Sequence, residues 1–228
     1  MELNVSNRNK YVELYSERYK EYGYDPKTLG WFKGKQDIRF DVLTSQVDLT
    51  GKKILDIGCG FGDLNICLTN KFGRYSYYGI DVVPVLIEEA QKKYVSTDDI
   101  PCKFYCDDFL KKDFQEKFDY AIASGIFNFK LEGQDNYEYV DAVIKKAFDL
   151  CSIGIAFDFL SDKVDFIKYG HTFHFAPDKI LSMGYTYTRN VVFRNDCLPF
   201  EFAIFLFKDD SFDKETTIFN RYIEQRQK

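Results

Sequence analysis

The run ILDIGCGFGD, residues 54–63, constrains this chain more than any other part of it. A short β-rich segment, KKILDIG (52–58), stops on glycine, and GDLNICLTNKF (62–72) then continues with the apolar spacing of a helix. Gly58, Gly60 and Gly62 permit a tight strand-to-helix turn and let main chain come close to a ligand. The alternation goes on downstream. YSYYGID (75–81), CKFYC (102–106), DYAIASG (119–125) and GIAFDFL (154–160) read as strands. PVLIEEAQKKY (84–94), which opens on proline, and YEYVDAVIKKAFDLC (137–151) read as helices. Strands separated by helices need crossover connections, so the sheet they build is parallel.

The ends of the chain break this rhythm. A helical stretch near Pro177–Met183 is followed by TRNVVFR (188–194) and FEFAIFLFK (200–208), which read as a hairpin around DCLP. A parallel sheet finished by such a hairpin is mixed. The last segment, KETTIFNRYIEQRQK, reads as a surface helix. Upstream, helices are expected over Tyr11–Tyr22 and Gln36–Val47, with the turn-rich EYGYDPKTLGWFKGK between them. The organisation expected is a helical cap or lid over 1–50 and a single α/β unit over 51–228.

Composition sets outer bounds. With 228 residues, 45% apolar and 29% charged, the chain can bury a full core as one globular unit. Its net charge of −5 argues against gripping a nucleic-acid backbone, which favours a basic face. No run approaches a membrane span, and MELNVSNRNKYVELYSERYK lacks the apolar region of a signal peptide. Six cysteines without a CxxC pair fit reduced thiols in a cytoplasm rather than disulfides or a metal site. Aromatic residues reach 18%, enough to fill a core and leave some for a pocket wall.

Four carboxyl-end positions carry chemistry. Asp56 precedes the glycine loop, whose spacing is G-x-G-x-G rather than that of a dinucleotide fingerprint. A carboxylate there repels a pyrophosphate and suits a ligand with positive charge. Asp81, 19 residues after Gly62, ends the second strand and can accept from both hydroxyls of a ribose. Asp107 and Asp108 follow the third strand; register favours Asp108 as acceptor for an adenine amino group, with Phe109 covering the ring. SGIFN (124–128) follows the fourth strand, where Gly125 permits close approach and Asn128 could face a substrate.

Taken together, these segments resemble the class I S-adenosylmethionine-dependent methyltransferases. ILDIGCGFGD matches that superfamily's first motif, YYGIDVVP its second, and FYCDDFL and DYAIASG later ones. The resemblance implies a Rossmann-like, doubly wound, mostly parallel seven-stranded sheet with an antiparallel C-terminal hairpin. It implies S-adenosylmethionine as cofactor, held by Asp56, Gly58, Cys59, Gly60, Gly62, Asp81, Val82, Asp108, Phe109, Ser124 and Gly125. The wider pattern, with GYDPKTLGW, SGIFNFK and DCLPFEF, is similar to small bacterial methyltransferases of polysaccharide biosynthesis clusters. That implies O-methylation of a sugar, a glycan precursor or another small polar metabolite. A methyltransferase acting on protein or RNA, and a non-catalytic module of the same fold, stay open as alternatives. No Asn/Asp-Pro-Pro-Tyr/Phe follows the fourth strand, which argues against methylation of adenine amines.

The acceptor side is less constrained. His171 and His174, in YGHTFHFAP, are the candidate general bases, against the more ordinary reading of packed or surface histidines. Their HxxH spacing lacks companion metal ligands. Arg194 and Glu201 flank the hairpin turn and are candidates for a polar acceptor, with a surface ion-pair cluster as the default. Trp31 belongs with Tyr22 and Tyr24 to the expected lid, and could also stack on a sugar. Asp119 reads as a capping or solvated acid.

Overall fold

The computed structural model describes every residue except Met1, Lys33, Tyr169, Gln227 and Lys228. Seven strands form one sheet: β1 (Lys53–Ile57), β2 (Ser76–Asp81), β3 (Cys102–Cys106), β4 (Phe118–Ala123), β5 (Cys151–Leu160), β6 (Val191–Arg194) and β7 (Glu201–Phe207). Their order is β3-β2-β1-β4-β5-β7-β6, parallel from β3 to β5 and antiparallel where β7 pairs with β5 and β6. The order reverses between β1 and β4, which is where such sheets open a crevice beyond their carboxyl ends. The helices are α1 (Val5–Tyr22), α2 (Gln36–Leu43), α3 (Leu64–Phe72), α4 (Pro84–Lys93), α5 (Asn136–Leu150), α6 (Pro177–Tyr185) and α7 (Asn220–Arg226).

The central strands read as continuous apolar runs because both faces of the sheet are covered. On one face Leu55, Ala121, Ile155 and Ile204 pack with Val140, Ile144 and Ala147 of α5. On the other, Ile54, Tyr120, Ile122 and Phe205 pack with Leu43 of α2 and Leu64 and Leu68 of α3. Much of the aromatic load is spent here. Phe127, Phe159, Phe202 and Phe193 make successive stacked contacts at 5.0, 5.3 and 5.4 Å. Contacts of that kind contribute about 0.5–1.5 kcal/mol each beyond their area. Gly154 lets β5 and β7 approach: a Cβ there would stand 2.2 Å from the carbonyl oxygen of Leu206.

Several boundaries differ from the sequence reading for local reasons. α1 starts at Val5, not Tyr11, because Asn4 caps it by accepting from the Asn7 amide. α2 stops at Leu43 rather than Val47. There the Thr44 hydroxyl bonds to Phe40 O and the Ser45 hydroxyl to Val42 O, closing the last turn. The terminal helix is confined to Asn220–Arg226. Ahead of it Asp213 gathers the amides of Glu215 and Thr216 into a turn, and Thr217 adopts φ +56°. Asp119 accepts from the Lys53 amide and the Ser152 hydroxyl, stitching β1, β4 and β5 at the end opposite the crevice. Among the described residues no helix is long and apolar enough to cross a membrane.

Candidate functional site

A cavity of about 130 Å³ lies at the carboxyl ends of β1, β2, β3 and β4. The first loop forms its floor. Gly58 has φ +71°, and a Cβ there would stand 2.2 Å from Ile126 Cγ2, so glycine is required on two counts. Gly60, at φ +54°, donates its amide to Asp81 Oδ2 at 2.9 Å, while Asp81 Oδ1 accepts from the Val83 amide at 2.9 Å. The acid that ends β2 thus holds the first loop against the second.

Two buried carboxylates, Asp56 and Asp108, and the half-buried Asp81 and Asp107 face this space. Asp56 is 4% exposed; burial lifts its carboxyl to about 7, opposed by a 2.5 Å hydrogen bond from the Tyr77 hydroxyl. Burial also raises Asp81. Asp108 is 2% exposed and raised by burial; its Oδ1 accepts from the Leu110 amide, and its Oδ2 is buried with no partner among the described residues. Among the described residues no Lys, Arg or His lines the cavity. Its walls are apolar: Phe109, Val82, Leu86, Tyr139 of α5, and Tyr11 and Tyr15 of α1.

The roof comes from the passage between α1 and α2. Tyr24 hydrogen-bonds to Asp63 and Lys93, and Asp63 also pairs with Lys93 at 3.0 Å and accepts from Tyr94 at 2.9 Å. This latch ties the passage to α3 and α4, and brings Leu29 and Trp31 over the glycine loop and Gly125. Trp31 also carries Arg39, whose guanidinium carbon is 4.1 Å from the ring centroid. Arg39 Nε and Nη2 donate to the two Glu201 oxygens at 2.5 Å each, and both side chains are largely buried.

Twelve of the residues singled out in the sequence line the cavity: Trp31, Asp56, Gly58, Cys59, Gly60, Asp81, Val82, Asp107, Asp108, Phe109, Ser124 and Gly125. The others stand elsewhere. Gly62 opens α3, and a Cβ on it would press within 2.9 Å of Phe104, so its smallness serves packing. Asn128 sits behind Gly125 and gives its carbonyl to the Phe173 amide. Residues 171–175 are pinned by bridges Phe129–Thr172 and Ser161–Phe175, which keep both histidines off the cavity wall. His174 Nδ1 lies 2.7 Å from Ser161 O, and the ring of His171 is 6.4 Å from Phe129. Arg194 pairs with Asp196 and reaches the Ser45 hydroxyl. Arg194 and Glu201 instead share a second cavity, of about 30 Å³, with Arg39 and Asp158.

Sequence reasoning missed Tyr11, Tyr15, Phe129 and Tyr139, which carry no local signal. It also missed Arg39 and Asp158. Asp158 did have a signal, being the one acid in the apolar run GIAFDFL.

The residues fit S-adenosylmethionine. The unpartnered Asp108 Oδ2 matches an adenine amino donor, Asp81 retains acceptor capacity for ribose hydroxyls, and Asp56 with no opposing cation suits an α-ammonium group. The comparisons with known proteins agree. A family model described as a methyltransferase domain matches residues 54–154. The U6 snRNA methylphosphate capping enzyme of Drosophila melanogaster is 42% identical over 86 residues, 37% of this chain and 28% of that protein. The chain therefore spans less than a third of that relative. A putative methyltransferase of Mycobacterium tuberculosis is 26% identical over 159 residues, covering 68% of this chain and 92% of that one. Among solved structures, the magnesium protoporphyrin IX methyltransferase of Synechocystis PCC 6803 with bound S-adenosylhomocysteine superposes with a TM-score of 0.60 at 17% identity, covering 88% and 94% of the two chains. Residues 54–154 thus carry a methyltransferase domain, within a chain of the class I S-adenosylmethionine-dependent methyltransferase fold whose cofactor is S-adenosylmethionine.

Proposed function

We propose that the chain transfers a methyl group to a hydroxyl of a small polar acceptor, of the sugar or glycan-precursor class. One observation carries this reading: a roofed cavity of about 130 Å³ lined by four carboxylates, two of them buried, and, among the described residues, by no cation. Such a lining welcomes a cationic, donor-rich cofactor and disfavours a polyphosphate. Bound S-adenosylmethionine supplies an activated methyl group on a sulfonium. The protein's residues must orient the acceptor in line with that methyl, exclude water and receive the acceptor's proton. Positioning of this kind can supply about 7–11 kcal/mol of the barrier.

The N-terminal segment 1–50 acts in this reading as the lid, since Leu3, Tyr11, Tyr15, Leu29, Trp31 and Gln36 all face the cavity. Six unpaired cysteines fit a reducing cytoplasm. The Drosophila relative raises a second reading, a phosphorylated RNA acceptor, against which the net charge of −5 and the cation-free wall both weigh.

The test is direct. Calorimetry should show S-adenosylmethionine or its demethylated product binding in the micromolar range, about −8 kcal/mol, with no heat from NADH. A methyl-transfer screen over methyl glycosides, nucleotide sugars, carboxylic acids and 5′-phosphorylated RNA should then favour the sugars. Transfer confined to RNA or to carboxylates would exclude the hydroxyl reading.

A further inference from the structure

An acceptor hydroxyl must lose a proton, and neither histidine lines the cavity to take it. At the Trp31 end of the cavity stands Ser124, beside the Gly125 that Trp31 covers. Its hydroxyl donates to Asp158 Oδ2 at 2.6 Å, and Asp158 Oδ1 accepts from the Gly125 amide at 2.7 Å. Asp158 is 6% exposed, and among the described residues it has no ion-pair partner. Its other side borders the second cavity with Arg39, Arg194 and Glu201.

The charged groups that face Asp158 come from two elements. Arg39 of α2 favours its ionised form and Glu201 of β7 opposes it, but these two are already paired with each other. Burial dominates and lifts the carboxyl to about 6. At neutral pH the group is therefore mostly ionised and still basic enough to take a proton. Among the described residues Arg39 Nη1 is buried without a partner, in the side chain that lines the second cavity with Asp158.

We propose, on the methyl-transfer reading above, that Ser124 and Asp158 form the proton relay of the acceptor. The acceptor hydroxyl donates to Ser124 Oγ, and the serine's own proton passes to Asp158 Oδ2. The acceptor oxygen forms its bond to the methyl carbon, and the carbon–sulfur bond breaks with its electron pair left on sulfur. The positive charge of the sulfonium thereby reappears as the proton on Asp158, and two opposite charges are neutralised together in a buried site. The Gly125 amide holds the carboxylate in place, and the Arg39–Glu201 pair, stacked against Trp31, lines the second cavity with it.

The experiment uses the full chain. S-adenosylmethionine binding is measured first by calorimetry; its absence refutes the methyltransferase reading itself and is distinct from failure of the relay. Transfer of a labelled methyl group to methyl α-D-glucopyranoside, glycerol, malonate and a 5′-phosphorylated RNA is then followed from about pH 5 to about pH 9. The expected result is transfer to hydroxyl probes, with kcat rising to a plateau above about pH 6. Ser124→Ala and Asp158→Asn should each lower kcat by about 100-fold and abolish that acid limb. Ser124→Thr should restore the limb. Cofactor affinity is measured in Ser124→Ala as well, and kcat is compared at saturating cofactor, so that loss of the relay is separated from loss of binding. Ser124→Ala leaves the Asp158–Gly125 bond intact, so it decides the matter even if Asp158→Asn misfolds. Independently of turnover, carbon-13 NMR of labelled aspartate carboxyls should show Asp158 titrating near pH 6, as burial dictates. Full kcat in Ser124→Ala, transfer only to malonate or RNA or to none of the probes, or Asp158 titrating below about pH 4 would each overturn the relay.

Discussion

Lowering the pH should loosen the cofactor while the fold holds. Asp56 lies in the cavity wall, 4% exposed, and burial lifts its carboxyl to about 7 despite the bond from Tyr77. S-adenosylhomocysteine brings an α-ammonium group, and a cation in this space favours the ionised carboxylate. If binding draws the carboxyl down to about 5 or below, affinity at about pH 6 falls roughly tenfold against about pH 8, or about 1.4 kcal/mol. The magnitude follows from occupancy: about one unit below its pKa the group is ~90% protonated, and each binding event must expel that proton. The assay is calorimetric titration at both pH values in two buffers of different ionisation enthalpy, which counts released protons. About 0.9 proton per binding event is expected near pH 6, with more if Asp81 and Asp108 join, since burial raises them too. The sign for stability is opposite. A carboxyl whose folded pKa exceeds its ordinary 3.8 favours folding at low pH and loses that contribution as pH rises through 7. The unliganded Tm should therefore drift down between about pH 5 and pH 8, and the ligand should cancel the drift. A pH-independent affinity, or binding without proton release, would refute the assignment of Asp56 to the cationic end.

Three further outcomes are expected. Gly58→Ala places a methyl 2.2 Å from Ile126 Cγ2 at φ +71°, so it should abolish cofactor binding in calorimetry and cost about 1–3 kcal/mol of stability. Asp108→Asn keeps an acceptor for the Leu110 amide but replaces the orphaned Oδ2. It should raise the unliganded Tm near pH 8 while weakening S-adenosylhomocysteine by about 1.5–3 kcal/mol. Gly154→Ala drives a methyl to 2.2 Å from Leu206 O across β5 and β7, and should destabilise by more than about 2 kcal/mol in denaturant unfolding.

The sheet was legible because its signal is local and repeated. Each parallel strand buried on both faces must be a run of apolar residues, and CKFYC fell on β3 to the residue. The hairpin also read correctly, since DCLP can only be a turn. Element ends were lost where side chains rather than periodicity decide them. Asn4 starts α1 six residues before its apolar pattern does, and Asp213 diverts the chain into a turn where composition alone suggested helix.

The same distinction separates the two ends of the site. The glycines and acids that line the cavity at the strand ends interrupt apolar runs and were visible from their own segments, whereas Tyr11, Tyr15 and Tyr139, which line it too, were not. The residues of the proposed relay depend on pairs far apart in sequence. Arg39 meets Glu201 across 162 positions, and Asp158 meets Ser124 across 34. In a list of segments Arg39 is one more polar position of a short helix, and Glu201 one more charge beside a turn. Only the antiparallel insertion of β7 next to β5 brings Glu201 level with Leu160, and so near Asp158. The histidines misled for the complementary reason: their residue type suggests proton transfer, but the bridges that pin residues 171–175 keep them off the cavity wall. A charged residue inside an apolar strand is the better pointer. Burying Asp158 raises its pKa and costs stability, which singles it out as a candidate functional group, and the relay proposed above would give it that function.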